Sequence, residues 1–258
     1  LSIETNIHKM SAMAPARRAL VACAALTAAK HGFPQLPQVT FASLSAVRMD
    51  SNSPEQQAAH NSYQAKVFDE KSDFFASATA TPPKVVPRLQ RIATSCRLAP
   101  KTTLLDVGTG TGALLPFFQE SGCDLSKVTG VDLSAGMLSF ARERFPQVKF
   151  VQEDVLHFHG GEKYDRVVFN ACFGNLYDPV AVLKHVAQEL LSEGGLVVIS
   201  HPLGRPWLRT LQEKDPRMVL HDLPGSNELK EMLTQVPELL LESLEDEADY
   251  YCLILKRR

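Results

Sequence analysis

The chain has 258 residues, with 27 Lys and Arg against 29 Asp and Glu for a formal net charge of −2, and is 45% hydrophobic and 22% charged. That length and balance suit one globular domain with an extension, and no apolar run is long enough to span a bilayer. The five cysteines (Cys23, Cys96, Cys123, Cys172, Cys252) are scattered without the spacing of a disulfide framework or a metal site.

Residues 1–50 differ in kind from the rest. From Thr5 to Met49 there is no Asp or Glu, while Lys9, Arg17, Arg18, Lys30 and Arg48 are basic and alanine and serine are abundant. This composition predicts an organellar transit peptide, plastid in preference to mitochondrion, with a cleavage region at Ser45–Met49. A secretory signal, with Arg17-Arg18 ahead of the apolar Ala19–Ala29, and an uncleaved disordered extension are the alternatives. Residues 1–49 carry a net charge of +4, which leaves −6 on the remainder. An acidic remainder without a basic stripe argues against nucleic acid as a partner.

Further along, Val85, Val86, Leu89, Ile92 and Cys96 share one helical face, so Cys96 is expected to be a buried thiol. Thr102–Val107 is a short apolar run that suits a buried parallel strand. Gly108, Gly110 and Gly112 follow and lead into the apolar helix start Ala113–Phe118, forming a loop whose backbone can lie directly against a ligand. Asp106 stands two positions before the first glycine. A carboxylate there would repel a pyrophosphate but suits a cationic ligand bearing an amine and a sulfonium.

A second strand, Val128–Asp132, ends in another acid, and Ser134 can cap a helix Ala135–Arg144 that Pro146 stops. Val148–Val155 alternates as a third strand and reaches Asp154. One aspartate at a strand end is ordinarily a solvated loop residue. Three, at the ends of successive strands, stand side by side at the crevice of an open parallel sheet.

Asp106-Val107-Gly108-Thr109-Gly110-Thr111-Gly112 resembles motif I of the class I S-adenosylmethionine-dependent methyltransferases. The resemblance implies an α/β fold, a Rossmann-like doubly wound seven-stranded sheet, mostly parallel and closed by an antiparallel C-terminal hairpin. It also implies S-adenosylmethionine as the cofactor, leaving as S-adenosylhomocysteine. Gly108, Thr109, Gly110 and Gly112 would then wrap its amino-acid end beside Asp106. Asp132 and Leu133 would hold the ribose, Asp154 and Val155 the adenine, and Asn170 the region of the methionine moiety. Gly108-x-Gly110-x-x-Ala113 also satisfies the loose dinucleotide fingerprint, so an NAD-dependent oxidoreductase is a competing reading, against which Asp106 and Asp154 speak.

The remaining segments fit the same resemblance. Tyr164–Phe173 reads as the fourth strand and a substrate-side loop carrying Phe173. Asp178-Pro179 starts a helix expected over Val180–Leu191 and ended by Gly194-Gly195, with Leu196–Ser200 as the fifth strand. Glu238–Ser243 and Tyr250–Lys256 read as two strands around an acidic turn, Glu245-Asp246-Glu247-Ala248. Asn61–Phe75 resembles the family's N-terminal lid, with Tyr63 and Phe74 toward substrate and Phe68 packed on the sheet. The chain thus divides into 1–50 (transit peptide or extension), 51–80 (lid helix region) and 81–258 (methyltransferase domain).

His201, just past the fifth strand, is the best candidate general base, although a histidine so placed more often caps backbone groups. Tyr177 either faces substrate or packs beside Asp178. Cys172 has no evident base to activate it as a nucleophile. His157 and His159 lack nearby carboxylate or thiolate ligands, so no metal site is expected. The segment 201–225, with 61–80, should shape the acceptor pocket. The pattern looks most like the type-11 group, which includes quinone-methylating enzymes, and so implies O- or C-methylation of a small molecule. Asn170-Ala171-Cys172-Phe173 departs from the Asn-Pro-Pro-Tyr type of enzymes that methylate amide or base nitrogens. A methyltransferase-like organellar assembly or scaffold protein is the alternative of a different class.

Overall fold

The computed structural model describes residues 53–77 and 81–258. The transit segment expected over 1–50 lies outside the described residues.

Two helices open the described chain, α1 (Pro54–Glu70) and the short α2 (Ser72–Ala76). The Ser53 side chain accepts from the Gln56 N–H, and Pro54 occupies the first turn, where a missing N–H costs nothing. α3 (Val86–Ser95) then leads into an alternating run: β1 (Leu104–Val107), α4 (Leu115–Glu120), β2 (Val128–Asp132), α5 (Ala135–Arg144), β3 (Lys149–Gln152) and β4 (Tyr164–Asn170). α6 (Pro179–His185) and β5 (Leu191–His201) follow, then α7 (Gly204–Lys214), α8 (Ser226–Gln235), β6 (Leu239–Glu247) and β7 (Tyr250–Arg257).

The seven strands form one sheet in the order β3-β2-β1-β4-β5-β7-β6. β1 to β5 pair in parallel, whereas β7 runs antiparallel to both β5 and β6. This is the doubly wound sheet with a closing hairpin that the sequence predicts. The order reverses between β1 and β4, so the strand ends flanking that point open a crevice.

Alternation along the strands divides the core into two layers. Leu105, Val107, Val167, Phe169, Val197, Ile199, Leu253 and Leu255 pack on one face against α6 and α8. Leu104, Val168, Leu196, Val198, Cys252 and Ile254 pack on the other against α3 and α4. Burial on both faces explains why the central strands read as unbroken apolar runs, while edge strand β3 is half exposed. Cys96 is buried on α3, donating to the Ile92 carbonyl, and burial pushes its thiol pKa up.

Two expectations are corrected. α6 ends at His185, five residues of π-helix follow (Val186–Leu190), and the chain is already in β5 at Leu191. Leu191 is fully buried and pairs with Tyr164, so Gly194-Gly195 lies in a bulge of the strand and does not cap a helix. The acidic run is also not the hairpin turn. Glu245, Asp246 and Glu247 pair with Cys252, Tyr251 and Tyr250, which leaves Ala248-Asp249 to turn the chain. Cations hold those acids in the sheet: Arg91 bonds Glu245 and Glu247 with its guanidinium 4.0 Å over the Tyr250 ring, and Arg205 reaches Asp246.

Candidate active site

A cavity of about 670 Å³ opens at the carboxyl ends of β1 to β5, a volume suited to a ligand of cofactor size with a small acceptor. Its floor is the glycine loop. Gly108, Gly110 and Gly112 all have positive φ (65°, 56° and 84°), the region where a side chain is strained. A Cβ at Gly108 would lie 2.7 Å from the Cys172 Cβ. Gly112, expected at the ligand, does not line the cavity, and a Cβ there would lie 2.8 Å from the Phe145 ring. At Gly110 nothing stands within 4 Å, so that glycine leaves open space beside the loop backbone.

The three aspartates converge on this floor. Asp106 is buried and accepts a hydrogen bond from the Thr109 hydroxyl at 2.7 Å. Burial raises its carboxyl pKa to about 7, the Thr109 bond opposing and the charge of Asp132 adding. Asp132 accepts from the Gly110 N–H and the Ser134 N–H, both at 2.8 Å, and so ties the loop to the start of α5. Burial raises its pKa as well, against the pull of those backbone bonds. Asp154 lies two residues past β3, where Oδ1 accepts from the Leu156 N–H at 3.0 Å. Leu133, Val155 and Asn170 also line the cavity, and the Asn170 Oδ1 accepts from Ser200 Oγ at 3.1 Å.

The roof is α1, which presents Gln57, Asn61, Gln64 and Phe68 to the cavity, followed by Lys71 just past its end. Successive separations of three and four residues make this one helical stripe. Gln57 Nε2 and Asn61 Nδ2 both donate to Asp154 Oδ2, at 2.8 and 2.7 Å. Gln64 is buried and donates to the Met218 carbonyl at 2.6 Å. Asp69 accepts from the Ser134 hydroxyl at 2.6 Å and the Gly136 N–H at 2.8 Å, pinning α1 to the start of α5. None of these polar contacts follows from reading the lid as a set of aromatic residues; the stripe's periodicity was the available signal.

At the other end, Phe74, Phe75, Leu176, Trp207, Leu208, Leu211 and Met218 give an apolar lining, with Lys71, Tyr177, His201 and Asp215 among them. Residues 61–75 and segment 201–225 therefore do meet at the cavity. Burial lowers the pKa of Lys71, with Asp215 and Glu70 opposing. His201 is buried, its Nδ1 accepts from the Leu203 N–H at 3.2 Å, and its ring packs against Trp207 at 5.3 Å. Burial depresses its pKa to about 4. With Nδ1 engaged as an acceptor, the neutral ring carries its proton on Nε2 and presents a donor.

Two of the residues expected on the acceptor side lie elsewhere. Phe173 is fully buried against Phe169 in the core and does not line the cavity, because the 3₁₀ turn Phe173–Asn175 rolls it inward. Tyr63 points off the stripe. Its hydroxyl donates to Asp215 at 2.8 Å and accepts from Arg217 at 3.0 Å, so it fastens α1 to the segment after α7. Tyr177 does line the cavity, while its hydroxyl donates to the Gln56 side chain at 2.9 Å. Cys172 lines it too, but its thiol donates to the Val107 carbonyl at 3.1 Å and its pKa is pushed well up, which opposes a nucleophilic role.

Comparison with known proteins identifies the family. A family model described as a methyltransferase domain matches residues 60–240. The chain is 35% identical over 95 residues to a malonyl-[acyl-carrier protein] O-methyltransferase of Acetivibrio thermocellus, covering 36% of this chain and 33% of that protein. It is 33% identical over 133 residues to a trans-aconitate 2-methyltransferase of Rhodopseudomonas palustris, covering 50% of each. The chain thus spans a third to a half of the length of these relatives. Among solved structures, the magnesium protoporphyrin IX methyltransferase of Synechocystis superposes with a TM-score of 0.55 at 16% identity, over 79% of this chain and 100% of that one.

Proposed function

Since the chain belongs to the methyltransferase-domain family, we propose that it transfers the methyl group of S-adenosylmethionine to oxygen or carbon of a small-molecule acceptor. The observation that carries this reading is the convergence of Asp106, Asp132, Asp154 and Asn170 on one cavity whose glycine floor is open at Gly110. The residues fit the donor. An acid-rich pocket suits a cationic ligand, and the positive-φ loop exposes backbone to it.

Bound there, S-adenosylmethionine supplies a methyl carbon already activated by its sulfonium charge. The chain's contribution is to hold the nucleophile in line and keep water away, which the apolar lining from α2 and α7 supports. His201 serves this task as a neutral donor from Nε2 and not as a base, since its Nδ1 is already bonded. Lys71 is the one lysine or arginine side chain lining the cavity among the described residues, so it favours an acceptor that arrives as an anion. Malonyl and aconitate groups, named for two relatives, carry such carboxylates.

Thermal melts with S-adenosylhomocysteine and, separately, NAD test the donor, because a selective ligand raises the melting temperature by mass action. A shift with S-adenosylhomocysteine alone is expected. A shift with NAD alone would sink the assignment, and a shift with neither would favour the scaffold reading. A labelled-methyl assay across small carboxylic acids and quinols tests the acceptor. Residues 1–50 we take as a plastid-directing segment; fused to a fluorescent protein they should send it to plastids, and diffuse fluorescence would count against this.

A further inference from the structure

We infer that Gln57 and Asn61 of α1 are adenine-reading residues, forming with Asp154 the specificity element of the donor site. This rests on the donor reading above. Both amides line the cavity, and both donate to one oxygen of Asp154, the acid placed to take the adenine amine. The two lone pairs of Oδ2 are then committed to α1, and Oδ1 already accepts from the Leu156 N–H. One lone pair of Oδ1 is left for the adenine amine, so adenosine bonded there stands beside the two amides on Oδ2.

The chemistry of the two partners is complementary. Adenine presents an amine donor beside the N7 acceptor, and a primary amide matches that pair by accepting from one and donating to the other. With the amine on Oδ1, each amide keeps a second N–H that can be donated to N7. The rest of α1 need not move. Gln64 is anchored on the Met218 carbonyl and Asp69 on Ser134 and Gly136, all outside the adenine end. Gln56, on the Tyr177 hydroxyl, and His60, on the Asn175 carbonyl, hold its first two turns as well, so only the Gln57 and Asn61 side chains answer to the adenine.

The test is calorimetric binding of S-adenosylhomocysteine and of its 7-deaza analogue, which lacks the N7 acceptor but keeps the amine for Asp154. The full chain should bind the analogue about fivefold to tenfold more weakly, the range expected for one unmatched hydrogen bond. In the double variant Gln57→Ala/Asn61→Ala that preference should vanish, with S-adenosylhomocysteine falling to the level of the analogue. Asn61→Ala alone carries the same comparison should the double variant melt early. If the variants bind S-adenosylhomocysteine as tightly as the parent or more so, the amides merely compete for Asp154 and the inference is overturned. Equal weakening of both ligands, with the N7 preference kept, overturns it too by showing a structural loss. A parent chain that binds neither ligand defeats the donor reading itself, a result distinct from either.

Discussion

The donor end and the acceptor end of the cavity are built from different materials. At the donor end the contacts come from backbone and carboxylates at the tips of packed parallel strands, with Asp106, Asp132 and the glycine loop tied together by bonds of 2.7 to 2.8 Å. At the acceptor end they come from side chains of α1, α2 and α7, with Phe74 42% exposed. The first arrangement fixes one ligand closely. The second can change its lining without touching the sheet.

The largest effect should come from the donor floor. Gly108→Val places side-chain atoms where even a Cβ meets Cys172 at 2.7 Å, at a positive φ. It should cost about 3 kcal/mol of stability and abolish S-adenosylhomocysteine binding, read by denaturant melts and calorimetry. Gly110→Ala, with open space around it, should keep more of the stability yet still lose donor affinity. Equal stability losses for the two would show that crowding at Gly108 is not the determinant.

Next in size is the acid sensitivity conferred by His201. Its folded pKa is depressed to about 4, so the native state resists the proton that the unfolded chain accepts. Its stability contribution is complete above the ordinary histidine range and is lost as pH falls toward 4, at about 1.4 kcal/mol per pH unit. Melts of His201→Asn between pH 4 and 7 should show a shallower slope than the parent. An unchanged slope would place the acid sensitivity in other groups.

Asp106 has the opposite sign. Its folded pKa is raised to about 7, so its contribution to stability falls as pH rises through the carboxylate range and levels off above 7. A cationic donor prefers the ionised form. Affinity for S-adenosylmethionine should therefore climb about tenfold per pH unit below 7 at the steepest, and Asp106→Asn should flatten the profile. A parent profile already flat between pH 5.5 and 8 would separate Asp106 from the donor's charge.

The smallest expected change to donor binding lies at the acceptor wall. Trp207→Ala should raise the acceptor KM about tenfold, while the S-adenosylhomocysteine Kd shifts less than twofold. Loss of donor affinity in that variant would mean that the two ends are mechanically coupled.

Much of this was legible in the chain. Ser134 and Asp178 cap the helices they precede, Pro179 begins one of them, and three aspartates mark three strand ends. These are local rules, in which a residue's effect is set by neighbours within one turn or along one strand. The Leu191–Gly195 stretch misled because its glycines resemble a helix stop, whereas pairing of Leu191 with Tyr164 draws the chain into the sheet first. The acidic run misled because cations from α3 and α7, far away in sequence, neutralise it.

The clustering of the glycine loop with three strand-end aspartates was therefore legible in the sequence alone, because their side-by-side order follows from the alternation of strand and helix. What only the tertiary structure decided was who meets those groups from above. Nothing local to Gln57 or Asn61 says that they will reach Asp154, 97 and 93 residues on. That contact exists because Gln64, Tyr63 and Asp69 fasten α1 across the cavity mouth. Long-range docking of a helix depends on the sum of such contacts, and no single position in the chain encodes it.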